Sequence, residues 1–167
     1  DDAGNQFGAS APVSGSAATT MSLRTASALL LGNVSATGGV TLNSAGTIAQ
    51  YGGTTIEAAT VTASAQGGIH LNSPGNLFSG IVAANTVNAG DIIVSTDYGG
   101  IVSVGSLTNS MGGILVNAAN GTLSGYDVIS AAGNLAVALP SGEQGIGVAL
   151  YGGTGANMGA AAPVTAL

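Results

Sequence analysis

The sequence predicts an all-β chain: a right-handed parallel β-helix (β-solenoid) with roughly three short strands per coil and about 20–25 residues per coil. Three observations lead there. The chain is almost without charge, glycine punctuates it at a short period, and apolar residues alternate with polar ones after each glycine pair.

Composition removes several alternatives. The 167 residues carry seven Asp or Glu and a single basic residue, Arg24, for a formal net charge of −6. Charged residues make up 5% of the chain, against roughly 25% in an ordinary soluble domain. A helix bundle needs a charged outer surface, and this chain cannot build one. Disorder requires high charge and few β-branched residues, the reverse of what is present. The polar surface must come from Ser, Thr, Asn and the 29 glycines, which suits short strands joined by many turns. One basic side chain is too few for nucleic-acid binding, whose affinity comes largely from neutralising phosphates. No cysteine is present, so disulfides and thiolate chemistry are excluded, and this fits an exported bacterial surface protein. No apolar run approaches the ~18 residues of a membrane-spanning helix. The first residues lack the basic and apolar regions of a signal peptide, so any signal is expected outside this sequence.

The elements follow from five aligned lines. They are "SATGGVTLNSAG" from Ser35, "SAQGGIHLNSPG" from Ser64, "VNAGDIIVSTDYGG" from Val87, "NSMGGILVNAANG" from Asn109 and "SAAGNLAVALPSG" from Ser130. Each has a small or polar lead-in, a glycine turn, then a strand. Successive side chains of a strand point to opposite faces. The first position reads Val40, Ile69, Ile92, Ile114 and Leu135, and the third reads Leu42, Leu71, Val94, Val116 and Val137. Both columns are aliphatic and are expected to form the core ladders. The second position (Thr41, His70, Ile93, Leu115, Ala136) and the fourth (Asn43, Asn72, Ser95, Asn117, Ala138) are mixed and should face outward. A preceding strand is expected around Val34, Val61, Val87, Leu107 and Val128. Gly and Asn at the corners are expected to supply left-handed backbone. Residues 1–140 read as the repeat array, and 141–167 as less regular coils continuing it.

A longer period overlies the short one. "GNQFG" from Gly4 and "GNLFSG" from Gly75 place Asn5 with Phe7 and Asn76 with Phe78 in the same context, and these are the only two phenylalanines. Together with "LLLGNVSATGGVTLNSAGTIAQ" from Leu29 and the strand-Gly-Gly-strand lines, these stretches resemble the repeat region of filamentous haemagglutinin-type adhesins exported by two-partner secretion. The resemblance covers most of residues 3–140. It implies a β-helical shaft with a surface or secreted structural role, and the two Phe contexts as copies of a unit about three coils long.

Catalytic constellations are hard to build from this chain. His70 is the only histidine, and its outward column makes it a solvated surface residue rather than a base. No Gly-x-Ser-x-Gly elbow is present. The acids Asp91 and Asp127 fall at corners of different coils, where turn geometry alone favours Asp. "YGGTGANMGA" from Tyr151 superficially resembles a dinucleotide loop, but that motif needs a following helix and a later acid. Two sequons, at Asn33 and Asn120, are expected by chance in a chain so rich in Asn, Ser and Thr. No metal site, cofactor or catalytic residue is therefore assigned. Ile93 and Leu115 are apolar in an outward column and form a candidate contact patch.

The expected function is a non-enzymatic shaft segment of an extracellular or cell-surface bacterial adhesin, mediating attachment or matrix formation. A filament subunit stacking end to end is the first alternative, and a β-helix enzyme acting on polysaccharide the second. A flat threonine array for ice binding is disfavoured by the mixed outward columns. The expected partners are further coils of a longer chain or other copies in a filament, because neither terminal stretch contains a capping helix. A host or matrix glycan or protein is the expected receptor class.

Overall fold

The computed structural model describes residues 11–138 except 86, 110, 111, 119, 121, 125–127 and 132–134, together with 149–152 and 159–160; beyond residue 120 it describes the backbone alone. In chain order the strands are β1 (Val13–Ala17), β2 (Met21–Thr25), β3 (Leu29–Ala36), β4 (Gly39–Ser44), β5 (Ile48–Gln50), β6 (Ile56–Ala65), β7 (Ile69–Leu71) and β8 (Leu77–Asn85). They continue as β9 (Ile92–Thr96), β10 (Ile101–Asn109), β11 (Ile114–Ala118), β12 (Thr122–Ser124), β13 (Val128–Ala131), β14 (Leu135–Ala138), β15 (Ala149–Gly152) and β16 (Gly159–Ala160). No helix occurs among the described residues.

All pairings are parallel, and partners lie one coil apart in sequence, from 18 residues (Val13 and Leu31) to 24 (Ala83 and Leu107). The result is a β-solenoid with three faces. A polar face carries β2, β4, Thr60–Ala65 of β6, Gly80–Asn85 of β8, Val104–Asn109 of β10, then β13 and β15. An aliphatic face carries Leu29–Leu31 of β3, then β5, β7, β9, β11, β14 and β16. A short face carries β1, Val34–Ala36 of β3, Ile56–Ala58 of β6, and the first residues of β8 and β10, with β12. Long strands such as β6 turn a corner without a break, so one strand serves two faces.

The interior is a stack of like side chains. Leu29, Ile48, Ile69, Ile92 and Ile114 form one ladder, all buried, and the register continues through Leu135. Val40, Val61, Ile81 and Val104 form a second on the polar face, with Leu42, Ala63, Ala83 and Leu107 beside it. Each such aliphatic side chain contributes about 1.5–3 kcal/mol when removed from water. On the short face a small residue makes room for a large one: Phe78 is fully buried and pairs with Ala58.

This register corrects the sequence alignment at its first line. Val40 and Leu42 are buried, but they do not share a ladder with Ile69 and Leu71. Val40 pairs with Val61 on the polar face, whereas Ile69 pairs with Ile48 on the aliphatic face. The line from Ser35 therefore sits one corner away from the other four. Its glycine pair, Gly38-Gly39, leads onto the polar face, and Gly67-Gly68 leads onto the aliphatic face. The columns Ile69–Ile92–Ile114–Leu135 and Leu71–Val94–Val116–Val137 keep the alignment's register.

Three further expectations differ from the structure. Val87 is 52% exposed in a turn, and Ile81 takes the buried place in that coil. Ser95, expected outward, is buried, and its carbonyl accepts a hydrogen bond from inside the coil. Finally, left-handed backbone is rarer at the described corners than expected. Among the described residues only Gly53 (φ +78°) and Gly68 (φ +102°) have positive φ, and no Asn does. Most corner glycines instead allow close stacking: a Cβ on Gly90 would lie 2.5 Å from the Gly67 carbonyl oxygen of the coil below.

Candidate functional site

The polar side chains that the fold draws together are structural, and they lie inside. At the corner from the polar to the aliphatic face, Thr25, Ser44, Ala65, Asn85 and Asn109 occupy one register column. In the first coils a hydroxyl closes the turn: Ser44 Oγ lies 2.7 Å from the Ser27 carbonyl and 3.1 Å from the Thr47 carbonyl, its one proton serving either, and accepts from the Gly46 N–H. Later coils have longer corners, and asparagine takes over. Asn85 Nδ2 reaches the Asn88 and Gly90 carbonyls and Asn109 Oδ1, while its own Oδ1 accepts from Gly68 N–H. Asn109 Nδ2 repeats the arrangement on the Gly90 and Gly113 carbonyls. Backbone groups that the turn leaves unpaired would otherwise be stranded at a cost of about 1–3 kcal/mol each. No buried side-chain nitrogen or oxygen among the described residues lacks a partner.

A second polar centre closes the corner from the aliphatic to the short face. Asn76 is fully buried. Its Nδ2 reaches Gln50 Oε1 at 2.9 Å and the Leu71 and Ser95 carbonyls at 3.1 Å. Its Oδ1 accepts from Gln50 Nε2 at 2.8 Å and from the Ile56 N–H at 2.9 Å. One coil on, Thr96 does the equivalent work with a hydroxyl bonded to Asn76 O and to both backbone groups of Phe78. Asn76 and Phe78, noticed in the sequence as repeat markers, are thus a corner clamp and a core filler. Asn5 and Phe7 lie outside the described residues. The signal for the Asn85–Asn109 column was present in the sequence, since each precedes a glycine-containing corner, but Gln50 carries no local mark at all.

Among the described residues the acids and the histidine do not converge. Among the described residues no group of three or more His, Cys, Asp or Glu is placed to hold a metal ion. Asp91 Oδ1 accepts from the Gly113 N–H at 2.9 Å, across one coil. Asp97 accepts from the Asn120 side chain, and Glu57 is exposed on the short face beside Ser35 and Leu77. His70 is half-buried in the outward column between Ala49 and Ile93. Asp127 and the loop after Gly152 lie outside the described residues. Asn33 is exposed, but its Oδ1 is engaged by the Thr55 N–H and its N–H by Ser14.

The hollows among the described residues are open to solvent. One of about 460 Å³ is lined by Arg24, Thr25, Asn43, Ser44 and Gln66. Another of about 230 Å³ runs beside Gln50, Tyr51, Asn72 and Pro74. Neither gathers an acid, a base and a nucleophile. No helix of the described residues is long and apolar enough to cross a membrane.

Against known proteins, the chain is similar over residues 17–85 to a family described as repeats of unknown function (DUF5649). That stretch is under half of the chain; it begins at the last residue of β1 and ends at the last residue of β8. Its limits coincide with strand ends. No curated protein and no solved structure shows a significant match. The chain is a β-solenoid repeat protein.

Proposed function

We propose that this chain is a structural shaft segment of a bacterial cell-surface or secreted filamentous adhesin, acting without catalysis. The observation that carries the reading is the continuous aliphatic ladder from Leu29 to Ile114. Every rung from Ile48 to Ile114 is paired with the coils before and after it, so the assembly resists bending and can hold a binding tip away from a surface. The resemblance of "GNLFSG" and the strand-Gly-Gly-strand lines to filamentous haemagglutinin-type repeats supports the extracellular setting. The near absence of charge and the scatter of Asp91, Asp97 and His70 support a mechanical role over a hydrolytic one. In this reading the partners are more coils of the same polypeptide or further copies, and the receptor is a host or matrix glycan or protein.

The test is location and attachment. Antibody against the chain should label intact producing cells or their culture medium, and disruption of the gene should reduce attachment to a surface. Labelling confined to the cell interior would overturn the reading.

A further inference from the structure

The outward pair Ile93 and Leu115 shares its side of the aliphatic face with the exposed carboxylate of Asp91, so it is no clean apolar contact. The polar face carries a better defined feature. The hollow of about 460 Å³ lies at its corner towards the aliphatic face, and three successive coils build it. Arg24 and Asn43 pair directly in register and lie in the outward column of β2 and β4. Thr25, Ser44 and Ala65 share the next register position, and the residues that follow them at the corner are Ala26, Ala45 and Gln66. Buried Thr25 and Ser44 form the floor with the two alanines. Gln66 closes the far end, two coils or roughly 10 Å along the rod from Ala26. Among the described residues the Arg24, Asn43 and Gln66 side chains have no hydrogen-bond or ion-pair partner. Arg24 is the one basic residue against seven acids, and no described acid lines the hollow.

We propose that this hollow is a binding site for a small carboxylate that also carries hydroxyl groups, a sugar acid being the simplest member of that class. Charge selects the carboxylate. A guanidinium presents a planar fork of N–H donors that matches a carboxylate in two parallel bonds. One cation balances one negative charge, whereas a phosphate dianion would stay half-neutralised in a chain of net charge −6. Glu57 lies on another face, the short one, and repulsion from charges beyond about 8 Å is screened at physiological salt. The amides select the hydroxyls. Asn43 and Gln66 each offer donors and an acceptor, the same combination that a hydroxyl offers in return. The Ala26 and Ala45 methyls keep the floor low and give apolar contact to the C–H groups between the hydroxyls. Further along the outward column Asn43 is followed by Ser64, Ala84 and Thr108, so the combination is not repeated there. An open hollow buries little of its ligand, and a dissociation constant of about 1 mM is expected. The proposal does not depend on the adhesin reading.

The test is an NMR titration of the isotope-labelled chain with gluconate. The Arg24 Nε–H signal and the Asn43 and Gln66 side-chain amide signals should shift together and saturate. Arg24→Gln removes the charge, and Ala45→Leu fills the hollow without removing a polar group. Each should weaken gluconate binding about tenfold or more. Both positions are exposed, so both variants should melt as the parent does. Glucose has the hydroxyls without the charge, and acetate has the charge without the hydroxyls. Each should bind about tenfold or more weakly than gluconate. Absence of the shifts, binding that survives Arg24→Gln or Ala45→Leu, or glucose or acetate binding as tightly as gluconate would overturn the proposal. Any of these results leaves the shaft reading standing, since labelling of intact cells decides that separately.

Discussion

Gln50 and Asn76 face each other across one step of the solenoid with their amides paired reciprocally: each donates to the other, at 2.8 and 2.9 Å. Gln50 takes the place in its coil that Leu31 and Leu71 take in the neighbouring ones. A polar side chain in an aliphatic column is tolerated because both ends of its amide are bonded. Asn76 then spreads the pairing into three strands through Ile56, Leu71 and Ser95.

Asn76→Ala should destabilise strongly, by about 3 kcal/mol or more, since it orphans several buried groups at once. Gln50→Ala should cost less, about 1–2 kcal/mol, because Asn76 keeps its backbone partners. In urea unfolding the double variant should lose clearly less than the sum of the two. Strict additivity would show that the pair is not coupled.

Ile114→Asp places an unpaired charge within the ladder between Ile92 and Leu135, and should cost several kcal/mol or prevent folding. His70→Ala on the outward column should change stability by under about 0.5 kcal/mol. Equal damage in thermal melts would mean that inward and outward positions have been exchanged.

Gly90→Ala would push a methyl into the backbone of Gly67 and Gly68, with three atoms within 2.9 Å. Backbone cannot swing aside as a side chain can, so a loss of about 1–3 kcal/mol is expected. Gly99→Ala meets nothing within 4 Å and should be nearly neutral. The difference in midpoint between these two alanines tests whether corner glycines act through close stacking.

Incubation with a panel of polysaccharides should release no reducing ends. Asp91 is occupied by the Gly113 N–H, and Asp91→Asn retains that acceptor, so the variant should fold as the parent does. Cleavage by the parent that Asp91→Asn abolishes would make the chain an enzyme.

The amino-acid sequence alone determined the class of fold and the direction of most side chains. Period-two alternation in "GGILVNA" states that Ile114 and Val116 are inside and Leu115 outside, because a pleated strand has only two sides. The glycine spacing gives the coil length for the same reason that any solenoid needs its corners in line. Which face a strand occupies was beyond its reach. Gly38-Gly39 and Gly67-Gly68 are chemically identical corners, and "VTL" alternates as "IHL" does, yet one follows the short face and the other the polar face. Only inter-coil hydrogen bonding, Val40 to Val61 and Ile69 to Ile48, separates them. The polar clamps were hidden for a related reason. Gln50 and Asn76 are 26 residues apart, and their pairing exists because one turn of the solenoid lays each over the other. Local pattern reports what a residue does within its own strand; contact between coils, set by corner length, decides its partner.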